Sequence, residues 1–149
     1  MSPEEGALRR TLELLDRHGI PYMLTGSVAA SFHGRPRATH GADVVIDPDA
    51  AERLDAFVDD LDTAGFYVNR NGARQAFDER RQFNAIEMQS ASKIDFIVRK
   101  DRPFSRTEFE RRRRVDLPFA TAVAIVGGRR DCVEARMGQG QRRFRAPAS

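Results

Sequence analysis

The spacing of apolar residues predicts helices alternating with short strands in the first half of the chain. Ser2 and Glu5 have the spacing of a helix-capping box, and a helical stripe of leucines follows them. Pro48 suits the first turn of a helix and Gly65 suits the position after one. The predicted elements are, in order, a helix over 2–19, a strand over 22–24, a Gly-Ser turn at 26–27, a helix over 28–32, a strand over 42–46 and a helix over 48–64.

The second half is predicted to be richer in strands. Apolar residues of high strand propensity recur in short runs, and a turn-like Gln-Ser-Ala-Ser segment separates two of them. The predicted elements are strands over 66–69, 83–88, 94–98 and 120–126, and helices over 104–112 and 131–137. Residues 138–149 are rich in Gly, Gln and Arg without periodicity, which predicts a basic, disordered tail after one domain over 1–137.

This order of elements predicts an α/β (α+β) fold, in which helices flank a mixed β-sheet. A length of 149 residues suits a single domain. The order alone does not specify a function.

Composition excludes several classes of protein. Cys132 is the single cysteine, which rules out an internal disulfide and makes a cysteine-based zinc site unfavourable. No apolar run approaches the roughly 20 residues that cross a membrane, and the N-terminus lacks the apolar segment of a signal peptide. We therefore expect a cytoplasmic protein without a membrane partner.

The net charge of +3 is unevenly distributed, with a basic excess after residue 100. Residues 111–114 are four consecutive arginines. Such a run is typical of a solvated helix face, and a surface for nucleic-acid phosphates is the alternative. The absence of interleaved aromatic residues favours the solvated face.

Three features carry candidate chemistry. Gly26 and Ser27 follow a strand and precede a helix, where free backbone N–H groups favour a phosphate. Asp43 lies within one apolar strand and Asp95 within another. A carboxylate in such a strand is costly unless it is hydrogen-bonded or binds a metal, so each aspartate is either a structural or a functional acid.

Together these features resemble the polymerase-beta-type nucleotidyltransferase superfamily, and in particular small bacterial proteins of the AbiEii-like and minimal nucleotidyltransferase kind. The matching segments are Leu-Thr-Gly-Ser at 24–27, Arg-Ala-Thr at 37–39, the acid at 43, Phe-Asn-Ala-Ile at 83–86, Lys-Ile-Asp at 93–95 and Arg-Asp-Cys-Val at 130–133. The resemblance covers roughly residues 6–137. Each segment is weak evidence alone, and their order is more specific.

The resemblance implies a nucleotidyltransferase-like fold and a magnesium-dependent transfer of a nucleoside monophosphate from a nucleoside triphosphate to a hydroxyl. It implies that Asp43 and Asp95 are catalytic and bind Mg²⁺, and that Gly26 and Ser27 bind the nucleotide. The acceptor could be RNA, a protein or a small molecule. Members of this family often belong to toxin–antitoxin systems, which implies an antitoxin-like partner.

One position departs from the family pattern. The first of the two paired acids belongs at position 41, which is Gly41 in this chain. If Asp43 were the first acid instead, the second would be Val45, which has no oxygen for a metal. Two hypotheses therefore stand: a nucleotidyltransferase impaired by Gly41, or a non-catalytic relative that binds nucleotide, RNA or a partner protein.

Overall fold

A computed structural model describes residues 2–25 and 41–127 of the chain. The strands are β1 (Tyr22–Thr25), β2 (Gly41–Ile46), β3 (Phe66–Val68), β4 (Gln82–Glu87), β5 (Ser92–Val98), β6 (Arg113–Leu117) and β7 (Ala120–Ile125). The α-helices are α1 (Pro3–Arg17), α2 (Leu54–Thr63), α3 (Arg70–Glu79) and α4 (Pro103–Glu110), and a 3₁₀ helix spans Pro48–Arg53.

The seven strands form one mixed sheet in the order β3-β4-β5-β2-β1-β7-β6. The central pair, β2 and β5, is parallel, as is the pair of β1 and β7. The other four pairs are antiparallel. The predicted mixed sheet with helices, and with it the predicted fold class, is confirmed.

Helices α1, α2 and α3 cover one face of the sheet and bury the apolar residues that alternate along its central strands. Phe96 of β5 is fully buried, stacks on Phe83 with ring centroids 5.0 Å apart, and meets Phe57 of α2 edge to face at 5.7 Å. The residues of β2 and β5 on this covered face are Ala42, Val44, Ile46, Ile94, Phe96 and Val98. Their burial turns the intervening residues toward the opposite face.

The first predicted helix is confirmed together with its capping box. The Ser2 hydroxyl accepts a hydrogen bond from the Glu5 backbone N–H at 3.1 Å, and the Ser2 N–H donates to the Glu5 carboxylate at 2.9 Å. His18 is the C-cap residue of the helix, and its ring Nε2 lies 2.7 Å from the Asp60 carboxylate on α2. These contacts connect α1 to α2.

The strand-rich second half needs two corrections, and the first is that α3 was not predicted. Asn71 and Gly72 in its first turn are weak helix formers, and few of its positions are apolar, so the sequence lacks the apolar stripe that marks a helix. Tertiary contacts compensate: Asn69 caps the Gly72 N–H at 3.0 Å, and Arg74 reaches Asp55 on α2 at 3.0 Å. Ala73, Ala76 and Phe77 are the buried positions that mark its apolar face.

The solvated helix face predicted for the arginine run also needs correction. Helix α4 ends at Glu110, and Arg113 begins strand β6, which was not predicted. Arg114 donates to the Ala122 carbonyl at 2.7 Å, and its guanidinium lies 5.6 Å from the centre of the Tyr22 ring. Arg113 and Arg114, which are half of the arginine run, therefore belong to the sheet through the pairing of β6 with β7.

The predicted helix over 48–64 is divided. Pro48–Arg53 forms a 3₁₀ helix with a kink at Ala50, and the α-helix proper begins at Leu54. The short turn lets Arg53 donate to the Gly19 carbonyl at 2.8 Å, which ties this segment to the end of α1.

Several predictions fall outside the described residues: the Gly-Ser turn at 26–27, the helices over 28–32 and 131–137, and the tail over 138–149. Within the described ranges, none of the helices has the length and apolar character required to span a bilayer.

Glu87, at the end of β4, is a buried acid on the helix-covered side of the sheet. Its carboxylate accepts hydrogen bonds from the Ser90 hydroxyl and backbone N–H, the latter at 2.9 Å, and lies 3.4 Å from the Arg10 guanidinium. The Ser90 hydrogen bond, more than any other contact, holds the pKa of this carboxyl below its ordinary value. A carboxyl whose pKa is lowered by folding stabilises the folded state while it is charged.

Replacing Glu87 with Gln is therefore expected to lower the free energy of unfolding at pH 7 by about 1–3 kcal/mol, because buried hydrogen bonds to a charged group are lost. The stability difference from the wild type should be complete above the unfolded pKa of about 4.5. It should shrink as the pH falls below that value, when the wild-type carboxyl is protonated. Urea unfolding from pH 7 to pH 3 measures it.

The matched control is Glu79→Gln, since Glu79 is a glutamate at the end of helix α3 with a side chain that is 47% exposed. Its replacement should leave the free energy of unfolding close to that of the wild type. Equal effects of the two substitutions would contradict the role assigned to Glu87.

Candidate functional site

Asp43 and Asp95 are brought side by side at the centre of the sheet. They are direct partners in the register of the parallel strands β2 and β5. Their neighbours Val44 and Phe96 are fully buried against the helices, so both aspartates project from the opposite face. Side chains of directly paired strand residues lie about 5 Å apart at their Cβ atoms, which allows the two carboxyl groups to touch.

The two carboxyl groups interact electrostatically. Partial burial raises the pKa of the Asp43 carboxyl, and the neighbouring Asp95 raises it further, both as a negative charge and as a hydrogen-bond partner. The Lys93 ammonium acts against this shift. Paired carboxylates with one raised pKa are found where a site is arranged to receive a cation or to move a proton.

Among the described residues, Lys93 brings a positive charge to the site. Its ammonium lies 3.8 Å from a carboxylate oxygen of Asp95, and its side chain is 52% exposed, whereas that of Asp95 is 23% exposed. In the register of the sheet Lys93 is the direct partner of Gly41. The sequence motif contains this lysine, but its position opposite Gly41 follows only from the strand pairing.

Two further polar residues extend the row across the sheet. Thr25 of β1 is the register partner of Asp43, and Asn84 of β4 is the register partner of Asp95. The row therefore runs Thr25, Asp43, Asp95, Asn84 across four adjacent strands. Sequence reasoning did not assign a role to Thr25 or Asn84, because only the strand register places each on the same face as the nearest acid.

Of the four site residues predicted from the sequence, Asp43 and Asp95 are described and adjacent. Gly26 and Ser27 lie outside the described residues, so their expected position beside the aspartates stays a prediction. Thr25, the residue that precedes Gly26 in the sequence, is described and is the register partner of Asp43.

The carboxylate oxygens of Asp43 and Asp95 are better suited to binding one divalent cation than two. Two carboxylates facing one another offer the hard oxygen ligands that Mg²⁺ prefers, with water completing its octahedral shell. Among the described residues, no cluster of three or more His, Cys, Asp or Glu side chains is placed to share a metal ion. Gly41, at the position where the resemblance implies a further acid, has no side-chain oxygen.

A cavity of about 500 Å³ lies elsewhere, between α1 and the β6–β7 hairpin. Its lining includes Arg9, Glu13 and Phe119, but neither aspartate of the site nor Lys93. The Nε atom of Arg9 is buried there without a hydrogen-bond partner. We place the candidate site at the aspartates instead, because they are the acids that the sequence motif singles out and the strand register brings together.

Comparison with known proteins supports the fold. No protein-family model matches the chain, and no curated protein matches it. Among solved structures, the chain is similar to the Thermotoga maritima protein TM1012, described as a "putative nucleotidyltransferase". The match has a TM-score of 0.53 and 12% sequence identity, and covers 93% of this chain and 86% of the other. At this identity the likeness establishes a nucleotidyltransferase-like fold and leaves the activity to be argued from the site.

Proposed function

We propose that this protein binds a nucleoside triphosphate on the face of its sheet opposite helices α1, α2 and α3, and is a nucleotidyltransferase of reduced efficiency. The observation that carries the proposal is the direct pairing of Asp43 with Asp95 across two parallel strands. Two carboxylates in contact have an electrostatic cost that a bound cation removes. The resemblance in sequence and the similarity in fold point to the same reaction.

In this proposal Asp43 and Asp95 hold Mg²⁺, which neutralises charge on the triphosphate and polarises the reacting phosphoryl group when bound. Asp95 would in addition accept the proton of the attacking hydroxyl, as the resemblance implies for the last acid of the motif. Gly26 and Ser27 would bind the phosphates through backbone N–H groups. The product would be an acceptor carrying a nucleoside monophosphate, with pyrophosphate released.

The efficiency is expected to be low because of Gly41. Phosphoryl transfer depends on positioning and on neutralising charge around the phosphate. A site with only two carboxylates supplies fewer oxygens to hold a second cation that would stabilise the leaving group. Water in place of the missing carboxylate would hold such a cation weakly.

A second function is favoured by the same glycine. A chain that binds nucleotide, RNA or a protein partner without transfer would need the fold and the polar row but not the full set of acids. Both functions involve a further molecule. In transfer it is the acceptor, and in binding without transfer it is the bound partner, such as an antitoxin-like protein. Calorimetry of each triphosphate with and without Mg²⁺, beside transfer of labelled nucleotide, separates the two functions.

The Gly41→Asp variant tests whether position 41 is the place of a missing metal ligand. Strand alternation places residue 41 on the same face as Asp43, so the substitution is expected to complete the carboxylate set. Magnesium with triphosphate should then raise the melting temperature of the variant more than that of the wild type, because a ligand that binds only the folded state stabilises it. Thermal unfolding with and without the ligands measures the effect, and nucleotide transfer is expected to increase.

An unchanged melting temperature and no transfer by the variant would show that Gly41 is not the missing ligand. A wild-type protein that already transfers nucleotide at an ordinary enzymatic rate would also contradict the proposed impairment. In that case an oxygen donor other than a side chain at position 41 must hold the metal.

Asp43→Asn tests the repulsion within the pair. Removing one of two like charges should raise the free energy of unfolding of the metal-free protein at pH 7 by about 1 kcal/mol. The same change should abolish the stabilisation by magnesium with triphosphate. Asp62→Asn, at an exposed position of α2, is the matched control and should shift stability by no more than about 0.5 kcal/mol. Destabilisation by Asp43→Asn would instead indicate a structural acid.

A further inference from the structure

We propose that the Lys93 ammonium binds the phosphate chain of the nucleotide. Lys93 is the register partner of Gly41 and supplies a positive charge to the site. This inference rests on the proposed function and deepens it. It assigns to a side chain of the protein a part of the charge neutralisation that a second divalent cation would otherwise perform.

The strand register supplies the first argument. Gly41 and Lys93 are direct partners in the parallel pair of β2 and β5, one step from the pair of Asp43 and Asp95. A carboxylate at position 41 would face Lys93 across the strands, at the separation where opposite charges form an ion pair. Glycine there offers Lys93 no carboxylate at the directly paired position, and the ammonium lies 3.8 Å from Asp95 on its own strand.

Charge supplies the second argument. Two ionised carboxylates repel a triphosphate, and one divalent cation only balances them. Lys93 adds one positive charge beside the pair, and about half of its side chain is exposed and can reach an incoming ligand. An ammonium is a compact charge on a flexible stem, which is the form in which lysine contacts phosphates.

The composition of the chain makes the assignment testable. Lys93 and Lys100 are the only lysines, and every other residue of the 25 Lys and Arg is arginine. Lys100 donates a hydrogen bond to the Arg80 carbonyl and lies outside the site. It is therefore the internal control for any reagent or substitution directed at lysine.

The first experiment measures two affinities of Lys93→Met. The affinity for Mn²⁺ alone, followed by electron paramagnetic resonance, should increase about fivefold, because a competing positive charge near Asp95 is removed. The affinity for the best-bound triphosphate in Mg²⁺, followed by calorimetry, should fall about tenfold, because a cation that contacts the phosphates is lost. Lys93→Arg should retain most of the affinity for triphosphate, and Lys100→Met should change neither value.

The second experiment needs no variant. Wild-type protein is acetylated with a lysine-selective reagent, with and without Mg²⁺ and the triphosphate, and the reaction at each lysine is followed by mass spectrometry. Bound nucleotide should slow acetylation of Lys93 at least fivefold and leave Lys100 unchanged, since a phosphate contact shields the ammonium.

The outcomes separate the two proposals. If the wild type binds triphosphate but Lys93→Met binds it equally well and Lys93 is not protected, the role of Lys93 is overturned and the proposed function stands. Weaker Mn²⁺ binding by Lys93→Met would also overturn it, because Lys93 would then only support the geometry of the aspartates. If the wild type binds no triphosphate under any condition, the proposed function fails and this inference fails with it.

Discussion

The parallel pairing of β2 with β5 is the contact on which the rest of the site depends. It places Asp43 beside Asp95 and Gly41 beside Lys93 in a single register. A shift of one residue would turn either strand over and send its acid into the core. The register is held by the opposite face, where Val44 and Phe96 are fully buried beneath the helices. Packing on the helix-covered face of the sheet thus determines which side chains lie together on the opposite face.

The electrostatics of the face opposite the helices follow from that constraint. Neighbouring strands hold the two carboxyl groups together whether or not a ligand is present, and partial burial, followed by the charge of Asp95, raises the pKa of Asp43. Lys93 lies at 3.8 Å from Asp95 and offsets part of this rise. The row from Thr25 to Asn84 keeps the surroundings polar. A site of this kind is suited to a cationic or phosphate-bearing ligand, as the proposed function requires.

The similarity to TM1012 and the residues of the site answer different questions. A TM-score of 0.53 over 93% of the chain shows a shared nucleotidyltransferase-like fold, at 12% identity. One fold can support several activities, and the activity resides in particular side chains. In the proposed function, the pair of aspartates argues for binding of a nucleotide with a metal, whereas Gly41 argues against efficient transfer. Position 41 of β2 would therefore separate an efficient enzyme from an impaired enzyme or a binding protein.

The amino-acid sequence by itself determined the main strands, the capping box of α1 and the position of the two acids within apolar strands. Apolar periodicity and local hydrogen bonding are properties of neighbouring residues, which is why the sequence reveals them. It could not determine that Lys93 lies opposite Gly41 or that Asn84 adjoins Asp95, since these depend on which strands pair and in which register. Helix α3 was likewise missed because ion pairs to Asp55 on α2 stabilise its polar sequence. Tertiary contacts join residues far apart in the chain, and they alone decided how the acids and the lysine meet.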